Sequence, residues 1–289
     1  MREAFLFAPG MAGESFRGKV CGEMAGWGYN PTAAVIHGRN VMDEVAAVVE
    51  ETTGLSQMER VVNVFVAPAK TFRDILRSSS WWLPFLLMLV SSIATAFVVQ
   101  RQVGFAQAYE NQVRMSPNTQ ERLANLTPEQ RVQSDKISVA ITKYITYGSF
   151  LLITGFLALY ALILWASFNF GLGAKTTFAQ VFAVSMYASL PYLLISLLTI
   201  LSLCLGGNAE GYDYKNPVAT NLAYFMSSDT APWLKGLLES FDIVKLWSVV
   251  LTVVGMAIIA KKTIAQSAVV VGIYWLIGVL VSIAGAAFS

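Results

Sequence analysis

Apolar and polar positions along the chain alternate in long blocks rather than with the short periods of a soluble domain. Five runs, at about 81–99, 145–170, 178–205, 241–260 and 268–288, are long and apolar enough to match the ~20 residues an α-helix needs to cross a bilayer. Four carry no Asp, Glu, Lys or Arg, and the fourth in chain order holds Asp242 and Lys245 three residues apart in its first turns, placed to pair or to reach the interface. The expected fold is all-α: a polytopic integral membrane helical bundle with five transmembrane helices and short interfacial amphipathic helices.

Between the runs the pattern changes character. At Ser56 a capping box, Ser56-x-x-Glu59, opens a stretch in which Val61, Val62, Val64 and Phe65 precede Pro68, and Phe72, Ile75 and Leu76 are interleaved with Lys70, Arg73 and Arg77. Pro68 divides it into two amphipathic pieces. Their position just before a span suits the headgroup plane with the apolar face towards lipid, the alternative being a helix packed on protein. Residues 101–144 hold two helix starts, Ser116-Pro117 and Thr127-Pro128-Glu129, and are expected to form short surface helices. Only 171–177 separate the second and third runs, which predicts an antiparallel hairpin. Pro191 lies inside the third run and predicts a kink, with Ser185 and Ser189 at hand for the freed carbonyls. Residues 206–240 form a second polar connection in which Thr230-Ala231-Pro232-Trp233 predicts a short interfacial helix. Gly278, Ser282 and Ala286 recur every four residues in the last run, a face that admits a close neighbour, expected from within the chain rather than from a second copy.

Composition agrees with a nonaqueous solvent: 55% of residues are hydrophobic and 13% charged, against the ~25% charge of soluble domains. Twenty basic and eighteen acidic residues leave a net charge of +2, too small a field to point to nucleic acid. The expected partners are the lipid bilayer and other membrane proteins, with no nucleic acid, and the pattern sets no oligomeric state. Residues 1–55 are polar and glycine-rich, apart from a short helix expected over 42–51, and form a poorly ordered tail ahead of a membrane domain at 56–289. Coherent patterning starts near Ser56, which raises Met42 and Met58 as alternative starts of the native product. Cys21 and Cys204 lie in unlike settings, so no mutual disulfide is expected.

Candidate chemistry is sparse. His37, the single histidine, lies in the tail, and no nucleophile with a base, metal cluster or phosphate loop is in a usable context. No catalytic, cofactor-binding or metal-binding residue is assigned and no cofactor is expected. Asn169, Gln180, Ser185, Ser189, Ser196, Thr199 and Ser202 are among the polar groups within apolar runs, with helix-to-helix hydrogen bonding as their ordinary use. The leading reading is a non-enzymatic membrane scaffold or organiser. The alternative is a solute permease or channel subunit with a path near Asn169, Gln180 and the Pro191 kink; an enzyme using Asp213 or Asp242 is the remoter rival. Dense basic residues in short loops, Lys175 and Lys261-Lys262, with Arg60, Lys70, Arg73 and Arg77 ahead of the first span, place the amino terminus in the cytoplasm and the carboxyl terminus outside.

The stretch Val64-Phe65-Val66-Ala67-Pro68-Ala69-Lys70-Thr71-Phe72-Arg73-Asp74-Ile75, followed by Trp81-Trp82-Leu83-Pro84-Phe85, resembles the opening of bacterial members of the Yip domain family, named for eukaryotic Ypt/Rab-interacting proteins. Further likeness lies in Gly104-Phe105, Met115-Ser116-Pro117, the hairpin Phe170-Gly171-Leu172-Gly173-Ala174, Tyr187-Ala188-Ser189-Leu190-Pro191, and Asn216-Pro217-Val218-Ala219-Thr220-Asn221. The resemblance implies five helices in the inner membrane of a bacterium with a cytoplasmic amino terminus. Eukaryotic relatives are associated with vesicle trafficking, membrane shaping and Rab binding, but the tail here has no evident GTPase-docking element.

Overall fold

In the computed structural model the described residues are 54–207, 209–227 and 230–287, and all the regular structure among them is helical. Residues 1–53 of the tail, with Cys21, His37 and the helix expected over 42–51, lie outside them, as does the end of the fifth run at 288. Eleven α-helices are described: α1 Gln57–Val66, α2 Pro68–Arg77, α3 Trp82–Gln102, α4 Phe105–Arg114, α5 Pro117–Ala124, α6 Pro128–Ala166, α7 Phe178–Ala188, α8 Tyr192–Cys204, α9 Pro232–Ser240, α10 Ile243–Ala260 and α11 Ile264–Ala287. Five of the helical stretches, namely α3, α6, α7 with α8, α10 and α11, are long and apolar enough to cross a membrane.

Local signals set most boundaries. The capping box at α1 forms, with the Ser56 amide donating to Glu59 Oε2 at 2.7 Å and the Glu59 amide to Ser56 Oγ at 3.3 Å. Thr127 with Gln130 and Thr177 with Gln180 repeat the device at α6 and α7. Pro191 stops α7: the turn at 189–191 is held by tight bonds such as Tyr192 N to Ser189 O at 3.0 Å, and the hydroxyls of Ser185 and Ser189 bond the carbonyls of Val181 and Met186. At the far end of α10, Lys261 turns left-handed (φ 53°) and the chain reverses into α11.

Two elements differ from expectation. Thr127-Pro128-Glu129 opens not a short surface helix but the same helix that becomes the second span. At 39 residues α6 is about 58 Å long, roughly twice the hydrocarbon thickness. Nothing between 128 and 166 breaks it, and an Arg131–Asp135 pair at 3.0 Å supports its polar part, so a hydropathy boundary near 145 is not a helix boundary. The apolar face of α2 packs on protein rather than lipid: Phe72 and Ile75 are fully buried, against α7 and α10.

The third span is the centre of the bundle, with 61% of its apolar window buried against 11% for the last. Tyr187, Met186, Phe168, Leu164 and Met256 fill the core around it. The two long connections fold on each other at the end away from α1 and α2: the Asn111 side-chain amide donates to the Ala209 and Tyr212 carbonyls at 2.8 and 3.1 Å, and Val99, Ala108, Leu203 and Tyr212 form a second small core.

The small-residue face of α11 is met from within the chain, by the connecting helix α9. A Cβ on Gly236 would lie 2.8 Å from the Ser282 carbonyl oxygen and 2.9 Å from Ala286 Cβ, and the Ser282 hydroxyl donates to the Gly236 carbonyl at 3.3 Å. Gly278 meets no such neighbour. Gly236→Leu is therefore expected to lower stability by about 1–3 kcal/mol through overpacking, read as a fall in the thermal unfolding midpoint in detergent.

Candidate functional site

Two constellations stand out. The first joins α1 to α2. Arg60 is one turn before Val64 on the inward face of α1, and its side chain is fully buried. Its Nε donates to Asp74 Oδ2 at 2.6 Å, and one terminal nitrogen donates to the Ser78 carbonyl at 2.8 Å, so a single guanidinium ties α1 to α2 and to the segment entering α3. Arg77 Nε meets the other Asp74 oxygen at 2.8 Å, the Thr71 hydroxyl donates to the Arg60 carbonyl at 2.8 Å, and the Tyr187 hydroxyl donates to Gln57 at 3.0 Å. Burial alone would raise the Asp74 carboxyl, but the hydrogen bonds and charges of Arg77 and Arg60 outweigh it and hold the group below its ordinary 3.8.

That clamp leaves a defined surface outside. Met58, Val62 and Val66, spaced by four, form an exposed apolar stripe along α1, 62%, 57% and 74% accessible. Along α2, Lys70, Arg73 and Arg77 form an exposed basic edge.

The second constellation lies at the other end of the bundle. Asp242 is 2% accessible and caps α10, accepting from the amides of Val244 and Lys245 at 2.8 and 3.1 Å, while its other oxygen accepts from the Thr220 hydroxyl and, at 3.3 Å, from the Asn221 amide. Lys245 does not pair with it; its ammonium donates to the Glu239 carbonyl at 2.9 Å. This knot lines one end of a cleft of about 840 Å³ between α3, α6 and α8. Many cleft hydroxyls are spent on their own helix: Thr95 donates to the Ser91 carbonyl, Thr154 to that of Phe150 and Thr199 to that of Ile195, at 2.7–2.9 Å. The Glu239 carboxyl beside the knot is pushed up by burial and by Asp213, against the pull of Lys245, Lys235 and Lys215.

The polar groups singled out in the sequence divide between two places. Asn169 and Gln180 sit at the hairpin end: Asn169 binds Thr176 through both its amide nitrogen and its oxygen at 2.9 Å, and Gln180 closes the α7 capping box. Neither lines the cleft, whereas Ser189, Ser196, Thr199 and Asp242 do. Asp213 accepts from the Lys215 amide at 2.9 Å, in a turn. Cys204 is free and exposed, and among the described residues no group of His, Cys, Asp and Glu stands ready to hold a metal.

Sequence reasoning counted Arg60 only as a positive charge ahead of the first span. Its position four residues before Val64, on the buried face, with Asp74 on the facing amphipathic piece, was the available signal. The hydroxyls contributed to the cleft by α3 and α6, such as Thr95, Thr146 and Thr154, had none, since they meet only through tertiary packing.

Comparison with known proteins gives one match: the family model of the Yip1 domain matches residues 62–286. No curated protein and no solved structure matches the chain.

Proposed function

Because the chain belongs to the Yip1 domain family, we propose that it is a non-enzymatic organiser of the membrane in which it sits, acting on lipid through α1 and on neighbouring membrane proteins through the outward faces of its spans. The observation that carries this reading is the clamped pair α1–α2. An amphipathic helix that merely floats at an interface tilts and unfolds freely, whereas α1 is fixed to the bundle by Arg60, so its exposed stripe of Met58, Val62 and Val66 enters one leaflet at a set depth. The basic edge of α2 adds attraction to anionic headgroups, about 1 kcal/mol for each cation close to the surface. The same edge, with Lys175 and the Lys261-Lys262 turn, supports a cytoplasmic amino terminus and, in a bacterium, the inner membrane.

The permease reading draws on the cleft, but Asn169 and Gln180 are engaged elsewhere, and hydroxyls already bonded to backbone carbonyls offer a polar solute few free donors.

Reconstitution of the full chain into anionic phospholipid vesicles tests the proposal. Mean vesicle diameter, read by electron cryomicroscopy, is expected to fall as the protein-to-lipid ratio rises, and the Val62→Asp, Val66→Asp double variant, inserted at equal density, is expected to leave diameters unchanged. Diameters that ignore the wild-type protein, or respond equally to both proteins, would refute it.

A further inference from the structure

Two cavities meet at Lys215. The first is the cleft beside α6, whose lining runs from Thr142 to Tyr160, about 27 Å at 1.5 Å per residue and close to the hydrocarbon thickness of a leaflet pair. The second, of about 780 Å³, lies between α4, α5 and α9 and is lined by Arg114, Arg122, Lys215 and Lys235 against Asp213 and Glu239. Gln112 and Lys215 belong to the walls of both. A chamber with an excess of cations thus adjoins a long trench within the spans.

The chemistry of the two parts is complementary to an amphiphile. Thr95, Thr154 and Thr199 in the trench spend their hydroxyls on their own helices, and Met88, Ile153, Phe156 and Leu157 line it beside them, so this stretch of wall is one that a hydrocarbon chain can follow. Its rim carries Ile153 and Phe156, 53% and 70% accessible, which lie where lipid tails contact the helix, so a chain has lateral entry from the bilayer. A soluble anion has no use for the trench, and a neutral hydrocarbon has none for the cations.

We propose that the joined cavities bind one anionic phospholipid, with its phosphate among Lys215, Arg122 and Arg114 and one acyl chain along the trench between α3 and α6. The headgroup then lies in the leaflet opposite the one that α1 enters, and the site stands independently of the action proposed for α1.

Native mass spectrometry of the full chain, released from mild-detergent micelles doped with phosphatidylglycerol or with phosphatidylcholine, reads this directly. One phosphatidylglycerol per chain is expected to be retained, at least tenfold more than phosphatidylcholine. The Lys215→Glu, Arg122→Glu double variant is expected to lose about tenfold of that retention, and Ser149→Trp, which fills the trench without touching a cation, to lose it too. Lys136→Glu, outside both cavities, leaves it unchanged and controls for general charge. Equal retention of the two lipids, retention indifferent to both the charge and the trench variants, or full displacement by an equal concentration of soluble glycerol phosphate would overturn the proposal.

Discussion

Replacing Arg60 with leucine is expected to destabilise the protein by about 3–5 kcal/mol, a fall of roughly 10 °C in the thermal unfolding midpoint in detergent. The size follows from what the guanidinium leaves behind. Asp74 has a side chain only 9% accessible and would keep Arg77 alone, itself half in solvent, while the Ser78 carbonyl would lose its 2.8 Å donor. Truncating one partner of a buried pair costs far more than the pair is worth against an apolar replacement, so the Arg60→Met, Asp74→Leu double variant is expected to recover much of the loss. Arg60→Lys is expected to fall between, since an ammonium keeps the charge but cannot serve the carboxylate and the carbonyl from a planar fork. The same carboxylate sets an acid limit. Its folded value is depressed, so its contribution is complete above the unfolded value near 3.8 and is lost as pH falls through the lower, folded one. Wild type is expected to lose stability in that window, and Asp74→Asn, already weakened at neutral pH, to show a flatter dependence.

The second large effect is expected at Gly255, in the middle of the contact between α2, α7 and α10. A Cβ there would fall 2.5 Å from Val184 Cγ1 and 3.0 Å from Phe72 Cε1, both on fully buried side chains with no room to withdraw. Gly255→Ala is expected to cost about 1–3 kcal/mol and Gly255→Leu more, because the added atoms push α2 out of the bundle. Gly272→Ala, on α11 with open space where its Cβ would go, is expected to change stability by no more than ~0.5 kcal/mol. Combining Gly255→Ala with Val184→Ala relieves the nearest clash, and the pair is expected to cost less than the sum of the two single changes. Thermal unfolding of wild type, the three glycine variants, Val184→Ala and the double variant in one detergent checks the series.

These sites show where sequence reasoning reaches and where it stops. The spans, the capping boxes at Ser56, the turn at Pro191 and the reversal at Lys261 were legible because each depends on a run of neighbours or on backbone chemistry a few residues away. Asp242 and Lys245 show the limit of spacing: three residues apart on a helix, they are placed to pair or to reach the interface, but the carboxylate turns back to cap its own helix and the ammonium reaches a carbonyl in α9. Gly236 and Gly255 look like ordinary glycines of apolar stretches, and their role appears only when a second helix lies against them. Hydropathy marks where charge stops, near Lys143, rather than where α6 starts, and so concealed the polar half of a helix that frames the trench. The pattern of Phe72 and Ile75 suits lipid or protein alike, because a single amphipathic face does not say which apolar phase covers it, and here it is protein.

The central claim is a five-span path in which α1, α2, the 171–177 hairpin turn and the Lys261-Lys262 turn share one side of the membrane, and α4, α5 and α9 share the other. Side-specific thiol labelling in cells tests it most directly, with Cys21 and Cys204 changed to serine and single cysteines placed by Lys175→Cys, Lys262→Cys, Asn118→Cys and Lys235→Cys. The expected result is reaction of the Lys175 and Lys262 positions only after the membrane is opened, and of the Asn118 and Lys235 positions in intact cells. Labelling that separated the Lys175 position from the Lys262 position, or joined either to Asn118, would contradict the path.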